Sequence, residues 1–375
     1  MCTFYNNSIA DLKSIYRQTE RLNFMRIKIA GGCGEHGRNC FYVETMAADF
    51  LVDCGLMAGE EDGGYPYLTQ EEIKRADYVF LTHSHADHTG AIPWLVEKGF
   101  HGNVVASKET LEQLPFEVRN TMTLEQFQEK KTPLKMQYGK SGHCVGSVWY
   151  QFECEGKTLF FSGDYVEKNF VHEIDLIRGK TADIAVIDCA YGSDRTSFEG
   201  YYRELIKTVR KLKKEHKTLL FPVPKYGRGL ELYWLLKRKF PKWTFSADMH
   251  FIKQLLSFEN SSWKKNGIEV AGEIFLYSEE HQTDVVFVSN PQLRGTQAQE
   301  IANAVIENDG YAIMTGTTEK GTMSEQLLQE GKMSMCRFPV HLNYPQFCKV
   351  AMENSFGQII IYHSPEFDCG KEIIK

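Results

Sequence analysis

The chain has 375 residues, 42% of them hydrophobic and 25% charged, with a formal net charge of −6. That size and balance fit a globular protein of one large or two ordinary domains with ample core. They exclude a chain too polar to fold, and no apolar run approaches the ~20 residues needed to cross a bilayer.

The opening Met1-Cys2-Thr3-Phe4-Tyr5-Asn6-Asn7 has neither a basic n-region nor an apolar h-region, so no secretion signal is expected. Residues 1–24 precede the first convincing strand and are expected to form a short docking helix or an unordered leader. Ten cysteines show no C-x-x-C spacing. With no signal for an oxidising compartment, they read as reduced thiols of a cytoplasmic protein. Cys54, Cys144 and Cys189 directly follow Asp53, His143 and Asp188 and are expected to be small buried residues behind a site.

In chain order, the first strands are expected at Arg26–Ala30, Cys40–Glu44 and Phe50–Asp53. Gly32-Cys33-Gly34-Glu35-His36-Gly37 between the first two has the G-x-G-x-x-G spacing of a dinucleotide fingerprint, with Asp53 about 20 residues on. That fingerprint needs a helix to open at its last glycine. Cys40-Phe41-Tyr42-Val43 is β-prone instead, so the glycines read as a loop between antiparallel strands. Thr69 with Glu72 forms a capping box for a helix to about Ala76. Strand Tyr78–Leu81 then runs into His83-Ser84-His85-Ala86-Asp87-His88, which puts four potential metal ligands in six residues. Thr89 is expected to open a helix over Gly90–Glu97, with Pro93 in its first turn.

Further strands are expected at Val104–Ala106, Val148–Phe152, Thr158–Phe161 and Ile184–Asp188. His143 and Asp164 lie on the loops Gly142–Ser147 and Ser162–Asp164. After Tyr191-Gly192-Ser193-Asp194 a basic helix (Glu199–Glu215) leads to strand Thr218–Val223, helix Leu230–Lys239 and strand Thr244–Ser246. Val285–Val288 and Tyr311–Met314 read as buried strands around a helix over Gln297–Glu307. Strand Cys336–Val340, helix Pro345–Glu353 and strand Gln358–Tyr362 close the chain. The alternation predicts an α/β class.

Charge is unevenly placed. Residues 203–242 hold 13 Lys or Arg against 3 Asp or Glu, a balance of +10, leaving 30 against 46, or −16, for the remainder. One basic face on an acidic protein is the footprint expected of phosphate-backbone tracking; the bland alternative is a solvated helix face. Imidazoles and carboxylates at strand ends suit zinc, with manganese and iron as alternatives.

These motifs resemble the metallo-β-lactamase superfamily, whose signature is H-x-H-x-D-H followed by later His, Asp and His ligands. The similarity runs from about Met25 to Ser364 and extends to the β-CASP nuclease branch, of the RNA-processing type. It implies a metallo-β-lactamase αββα sandwich with an inserted α/β domain. The expected division is a 1–24 extension, residues 25–197 and 331–375 for the sandwich, and residues 198–330 for the insert.

Two zinc ions are implied. His83, His85 and His143 would hold one; Asp87, His88 and His363 the other, with Asp164 bridging. Asp53 would orient ligands and bound water, Asp188 would orient His341, and His341 would protonate the leaving oxygen. A histidine at His363 is what RNA-cutting members carry. The resemblance thus implies a zinc-dependent phosphodiesterase cutting single-stranded RNA by a two-metal mechanism with a metal-activated water as nucleophile. Alternatives are a hydrolase of a small ester, thioester or lactam, a DNA nuclease, and a non-catalytic scaffold.

Lys225, Tyr226 and Arg228 are candidate substrate contacts at a strand-to-helix turn. Leu342 and Asn343 depart from the family's small residue and aspartate after the second branch motif. The insert is short for the branch, so a protein partner or homo-oligomer is expected to supply grip; no membrane partner is expected.

Overall fold

In the computed structural model, which describes residues 25–368 and 372–374 apart from residues 58, 61 and 271, the strands form three sheets. The 1–24 extension lies outside the described residues. The first sheet collects β1 (Arg26–Gly31), β2 (Cys40–Glu44), β3 (Phe50–Val52), β4 (Tyr78–Phe80), β5 (Asn103–Ala106) and β6 (Thr121–Thr123) in sequence order. β1 to β3 pair antiparallel and β3 to β6 parallel. The short helices that connect it include α1 (Gln70–Arg75), with the Thr69–Glu72 capping box formed, α2 (Ala86–Thr89) and α3 (Ile92–Glu97). The helix expected over Gly90–Glu97 starts at Ile92, after a separate helical turn that ends at Thr89, because the Ala91 amide turns aside to the Cys54 carbonyl at 3.0 Å.

The second sheet contains β7 (Lys135–Lys140), β8 (Val148–Cys154), β9 (Lys157–Phe161) and β10 (Thr181–Asp188). Alternation decides its packing. Val148, Tyr150 and Phe152 of β8 face Phe41, Phe50 and Phe80 of the first sheet, while Trp149 lies in a separate cluster on the other side. The outer face of the first sheet buries Leu51 and Val79 against Ile73, Ile92 and Leu95 of its helices. Two sheets packed core to core with helices outside make an αββα sandwich.

After β10 comes α4 (Phe198–Glu215), capped by Ser197, whose Leu205, Val209 and Leu212 are buried. It opens a third, all-parallel sheet of six strands: β11 (Thr218–Pro222), β12 (Phe245–Ala247), β13 (Phe275–Leu276), β14 (Val285–Val288), β15 (Gly310–Met314) and β16 (Met333–Met335). α5 (Arg228–Lys239), α6 (Met249–Glu259), α7 (Thr296–Glu307) and α8 (Met323–Gln329) connect those strands. The chain then returns through α9 (Tyr344–Met352) to β17 (Ser355–Tyr362), which completes the second sheet beside β10, and β18 (Glu372–Ile374), which pairs with β1.

Two expectations need correction. Cys336–Val340 is not a strand. The Cys336 and Phe338 amides still donate to the Met314 and Thr315 carbonyls at 2.8 and 3.0 Å. Pro339, however, has no amide to donate, and there the Tyr191 hydroxyl takes over, donating to the Phe338 carbonyl (3.1 Å) and accepting the Val340 amide (2.9 Å). The second concerns thiols. Cys33 is disulfide-bonded, against the reading of ten reduced cysteines, whereas Cys54, Cys144 and Cys189 are buried free thiols. No helix among the described residues is long and apolar enough to cross a membrane.

Candidate metal centre

The strand ends of both sheets in the sandwich converge on one rim, and the chain is bent there to aim side chains inward. Asp53, after β3, and His363, after β17, hold left-handed backbones (φ 60° and 66°) that non-glycine residues avoid. Such strain persists where surroundings over-determine it and gathers at functional sites. The backbones are tied across: Asn39 and Cys54 amides donate to the Asp87 and His88 carbonyls at 2.9 and 2.8 Å. Gly55 cannot be anything larger, since a Cβ there would sit 1.7 Å from the Asp87 carbonyl oxygen.

Two sets of donors flank one carboxylate, each with its atoms within 4.8 Å of one another: His83, His85, His143 and Asp164, and Asp87, His88, Asp164 and His363; a third, overlapping set brings Asp188 and His341 to Asp164 and His363. Asp164 belongs to all three. Its Oδ2 lies 3.5 Å from the Nε2 atoms of His83 and His143, and its Oδ1 lies 3.2 Å from His88 Nε2 and His363 Nδ1. Asp53 stands behind. Its Oδ2 is 2.7 Å from His88 Nδ1 and accepts the Thr82 hydroxyl at 2.8 Å, while Oδ1 accepts the Thr82 amide at 2.7 Å. His341 Nδ1 lies 3.2 Å from Asp188 Oδ2 and 3.7 Å from Asp164 Oδ2.

Electrostatics divide the imidazoles. Burial drives His83, aided by neighbouring His88, and His143, crowded by His341 and His85, well below the usual histidine range. Burial opposes protonation of His88 and His363 too, but Asp164 with the other carboxylates outweighs it. His88 is held well above its ordinary value, and His363 at about 10. Burial disfavours ionised Asp164 and Asp87, yet the surrounding imidazoles hold both well below the usual carboxylate range.

The donor set fits a divalent cation on a specific observation: several groups point at one another with nothing to satisfy them. His83 Nε2 and His363 Nδ1 are buried without a hydrogen-bond partner. His143 Nε2 faces His85 Nδ1 at 3.2 Å, although neutral imidazoles each have only one donor. Nitrogen and carboxylate donors of this kind are those of zinc and its neighbours.

The third sheet reaches the rim through the turn after β11. The Tyr226 carbonyl lies 3.1 Å from His85 Nε2, while its ring packs edge-on against His250. Lys225 is exposed. Arg228 is partly buried at the start of α5 and donates from Nη1 to the Thr315 carbonyl at 2.9 Å. No described carboxylate pairs with it, and Asp87 acts on it only through the field. Asn343 and Leu342 also find explanations. Asn343 caps α9 in a capping box and donates to the Thr196 carbonyl at 2.7 Å. Leu342 is fully buried, and its amide points at Asp188 Oδ2 at 3.4 Å.

Sequence reasoning missed four residues here. Gly316 lets Arg228 approach, since a Cβ would stand 2.7 Å from its Nη1. Arg337 lies over the Tyr191 ring at 4.5 Å and 3.2 Å from Asp194. His36 stands edge-on to His363, ring centroids 5.7 Å apart. Glu231, buried on α5, accepts the Phe170 and Val171 amides at 2.6 and 3.2 Å. Its local run, Gly227-Arg228-Gly229-Leu230-Glu231, carries no signal of that role, because the two donors lie 61 and 60 residues away in the chain.

A family model for the metallo-β-lactamase superfamily matches residues 33–223, and the chain belongs to that superfamily. It is similar to the transcription termination factor FttA of Methanocaldococcus jannaschii, 24% identical over 79% of this chain and 52% of that protein. It is also similar to an RNase J-like protein of the same organism, 23% identical over 82% of this chain and 81% of that one. The chain thus spans about half the length of the first relative. A protein of unknown function from Enterococcus faecalis V583 shares its fold, with a TM-score of 0.62 and 13% identity over 94% of this chain and all of that one.

Proposed function

We propose that the protein is a zinc-dependent ribonuclease that hydrolyses phosphodiesters of single-stranded RNA, with metal in both donor sets. The observation that carries this reading is the shared carboxylate: Asp164 presents one oxygen to each set, beside a histidine outside the imidazole-rich triads, His341, backed by Asp188. Metal ions held there would supply an activated water and charge neutralisation at the phosphoryl oxygens.

The chain's own residues do the rest. Asp53 fixes the ring of His88 through Nδ1 and leaves Nε2 facing Asp164. Asp188 plays the same part for His341. Its Oδ2 takes the imidazole Nδ1 and the Tyr165 amide, and its Oδ1 takes the Ala190 amide at 2.9 Å. That leaves His341 Nε2 as the proton donor to the leaving oxygen. Arg228, without a carboxylate partner, holds a phosphate oxygen of the substrate, for which a guanidinium fork is suited. The two relatives named above, a termination factor and an RNase J-like protein by name, support RNA over a small-molecule ester. The segment 198–330 serves in this reading as an inserted domain that closes over the rim.

The test is cleavage of end-labelled RNA and DNA of one sequence by metal-loaded protein, its chelated form and His341→Ala. Chelator-sensitive cutting of RNA is expected, reduced roughly 10²–10⁴-fold in the variant with its metal content unchanged. Wild-type rates in His341→Ala would remove the proton-donor assignment.

A further inference from the structure

α4 turns one face to the core, with Leu205, Val209 and Leu212 buried, and the other to solvent. Along the solvent face, Arg203, Lys207, Arg210, Lys211 and Lys214 are exposed, and Lys239 at the end of α5 stands opposite them. Together with Tyr202 they line an open groove of about 490 Å³ whose one acidic lining residue is Glu215, at its far end.

The cations of this groove are largely uncommitted. Lys207 has an exposed partner, Glu204, at 3.6 Å, a kind of pair worth little. Arg210 lies over the Phe240 ring at 5.8 Å, and Lys239 over the Tyr202 ring at 5.5 Å. Lys211 and Lys214 have no carboxylate partner among the described residues. Elsewhere on the surface, by contrast, cations such as Lys28, Lys135, Lys168 and Arg294 are paired with acids. On a protein of net charge −6, unpaired like charges along one helix repel one another. Such an arrangement is stabilised by a polyanion.

The groove has a direction. Ser197 caps α4, and the Thr196 carbonyl just before it accepts from Asn343, two residues after His341. The helix therefore starts beside the metal centre and runs away from it. At about 1.5 Å per residue, Lys214 lies roughly 24 Å beyond the helix start. Arg203, Lys207 and Lys211 repeat at i, i+4 and i+8, so one cation appears per helical turn, about 6 Å apart. A flexible chain with one charge per repeat and bases that stack fits this better than a folded acidic surface, and Tyr202 offers a ring at the near end.

We infer that the groove between α4 and the end of α5 is a second contact for single-stranded RNA, gripping phosphates several nucleotides away from the bond being cut. This rests on the ribonuclease reading for the identity of the polyanion, and it places grip within this chain.

The test pairs a groove variant (Lys207→Gln, Arg210→Gln, Lys211→Gln and Lys214→Gln together) with a control of the same charge change elsewhere (Lys108→Gln, Lys131→Gln, Lys135→Gln and Lys332→Gln). All eight side chains are exposed. Affinity for labelled 4- and 20-nucleotide RNAs is measured by anisotropy in chelator across a salt series, and cleavage of both RNAs is followed with metal. The groove variant should lose at least about 10-fold in 20-mer affinity and about 3 from the slope of log affinity against log salt, at ~0.7 per lost single-strand contact. Its cleavage of the 4-mer should match wild type, and the control should keep the 20-mer affinity. An unchanged 20-mer affinity and slope, or an equal loss in both variants, overturns the groove. RNA cutting indifferent to the groove variant leaves the ribonuclease reading standing alone. Groove-dependent binding by a wild-type protein that cuts no RNA supports the groove and overturns the ribonuclease reading.

Discussion

Two buried sets of ionisable groups lie close together in this molecule, and they are finished in opposite ways. In the ligand cluster, His83 Nε2 and His363 Nδ1 make no hydrogen bond although Asp164 stands 3.5 and 3.2 Å away, and His143 Nε2 faces another imidazole nitrogen at 3.2 Å. At the seam where α5 meets the sandwich, Glu231 is equally buried, yet main-chain amides of Phe170 and Val171 occupy its oxygens. Burial and a displaced pKa are common to both. The difference is completeness: one set leaves donor atoms without hydrogen bonds, while the protein's own backbone satisfies the other. Perturbed titration alone would have marked both as functional sites.

Substitution of the shared carboxylate is the strongest way to break that contrast. Asp164→Ala removes one oxygen from each donor set and should lower cleavage at least about 10³-fold, with bound metal falling in both positions. Because metal that binds only the folded state stabilises it, chelator should lower the melting temperature of wild type and leave that of Asp164→Ala unmoved. A variant that kept its full metal content and its chelator-sensitive melting would show that Asp164 is not shared.

The ligand cluster was legible because its residues are chemically conspicuous and sit at strand ends, where the apolar pattern announces them. His83, His85, Asp87 and His88 follow closely on the buried β4. Other parts were silent for physical reasons. β7 reads Lys-Met-Gln-Tyr-Gly-Lys, with only Met136 and Gly139 buried, so half-exposed alternation hid it. Cys336–Val340 resembles a strand because all but Arg337 is apolar and buried, but past the Phe338 amide a tyrosine hydroxyl replaces the neighbouring strand. Gly316 and Glu231 act on partners remote in sequence, which no local spacing reveals. Arg228 was visible as a cation at a turn; its lack of an acidic partner was not.

The seam can be tested by its pH dependence. Burial raises Glu231 to about 7 against the pull of the Phe170 and Val171 amides and the positive charge of Lys265. In the unfolded chain it titrates near 4.5. Between those values the folded protein keeps a proton that the unfolded chain has lost, so stability falls as pH rises across the window and is level above it. The size is on the order of 3 kcal/mol. Glu231→Gln should abolish that slope while adding a pH-independent cost of about 1–3 kcal/mol for the amide left without an acceptor. Urea melts of both proteins in chelator, taken from about pH 4.5 to 7.5 to bracket the two values, give the difference curve. A flat difference would mean that Glu231 titrates like an exposed glutamate.

The smallest expected effect bears on Arg228, where the seam and the centre touch. A Cβ at residue 316 would stand 2.7 Å from Nη1 and 2.9 Å from Nη2 of Arg228, so Gly316→Ala must displace the guanidinium. Arg228 is a long, flexible side chain, and Gly316 is not among the residues with positive φ. The fold should therefore absorb the change for about 1 kcal/mol or less. If Arg228 holds a substrate phosphate, moving its fork should raise the KM for RNA several-fold with little change in kcat, as loss of binding common to substrate and transition state does. Arg228→Lys should move KM in the same direction, because a point charge replaces a two-pronged donor. A KM unchanged in both variants would make Arg228 a strut between Thr315 and α5, and phosphate binding at the rim would then rest on the metal-holding residues.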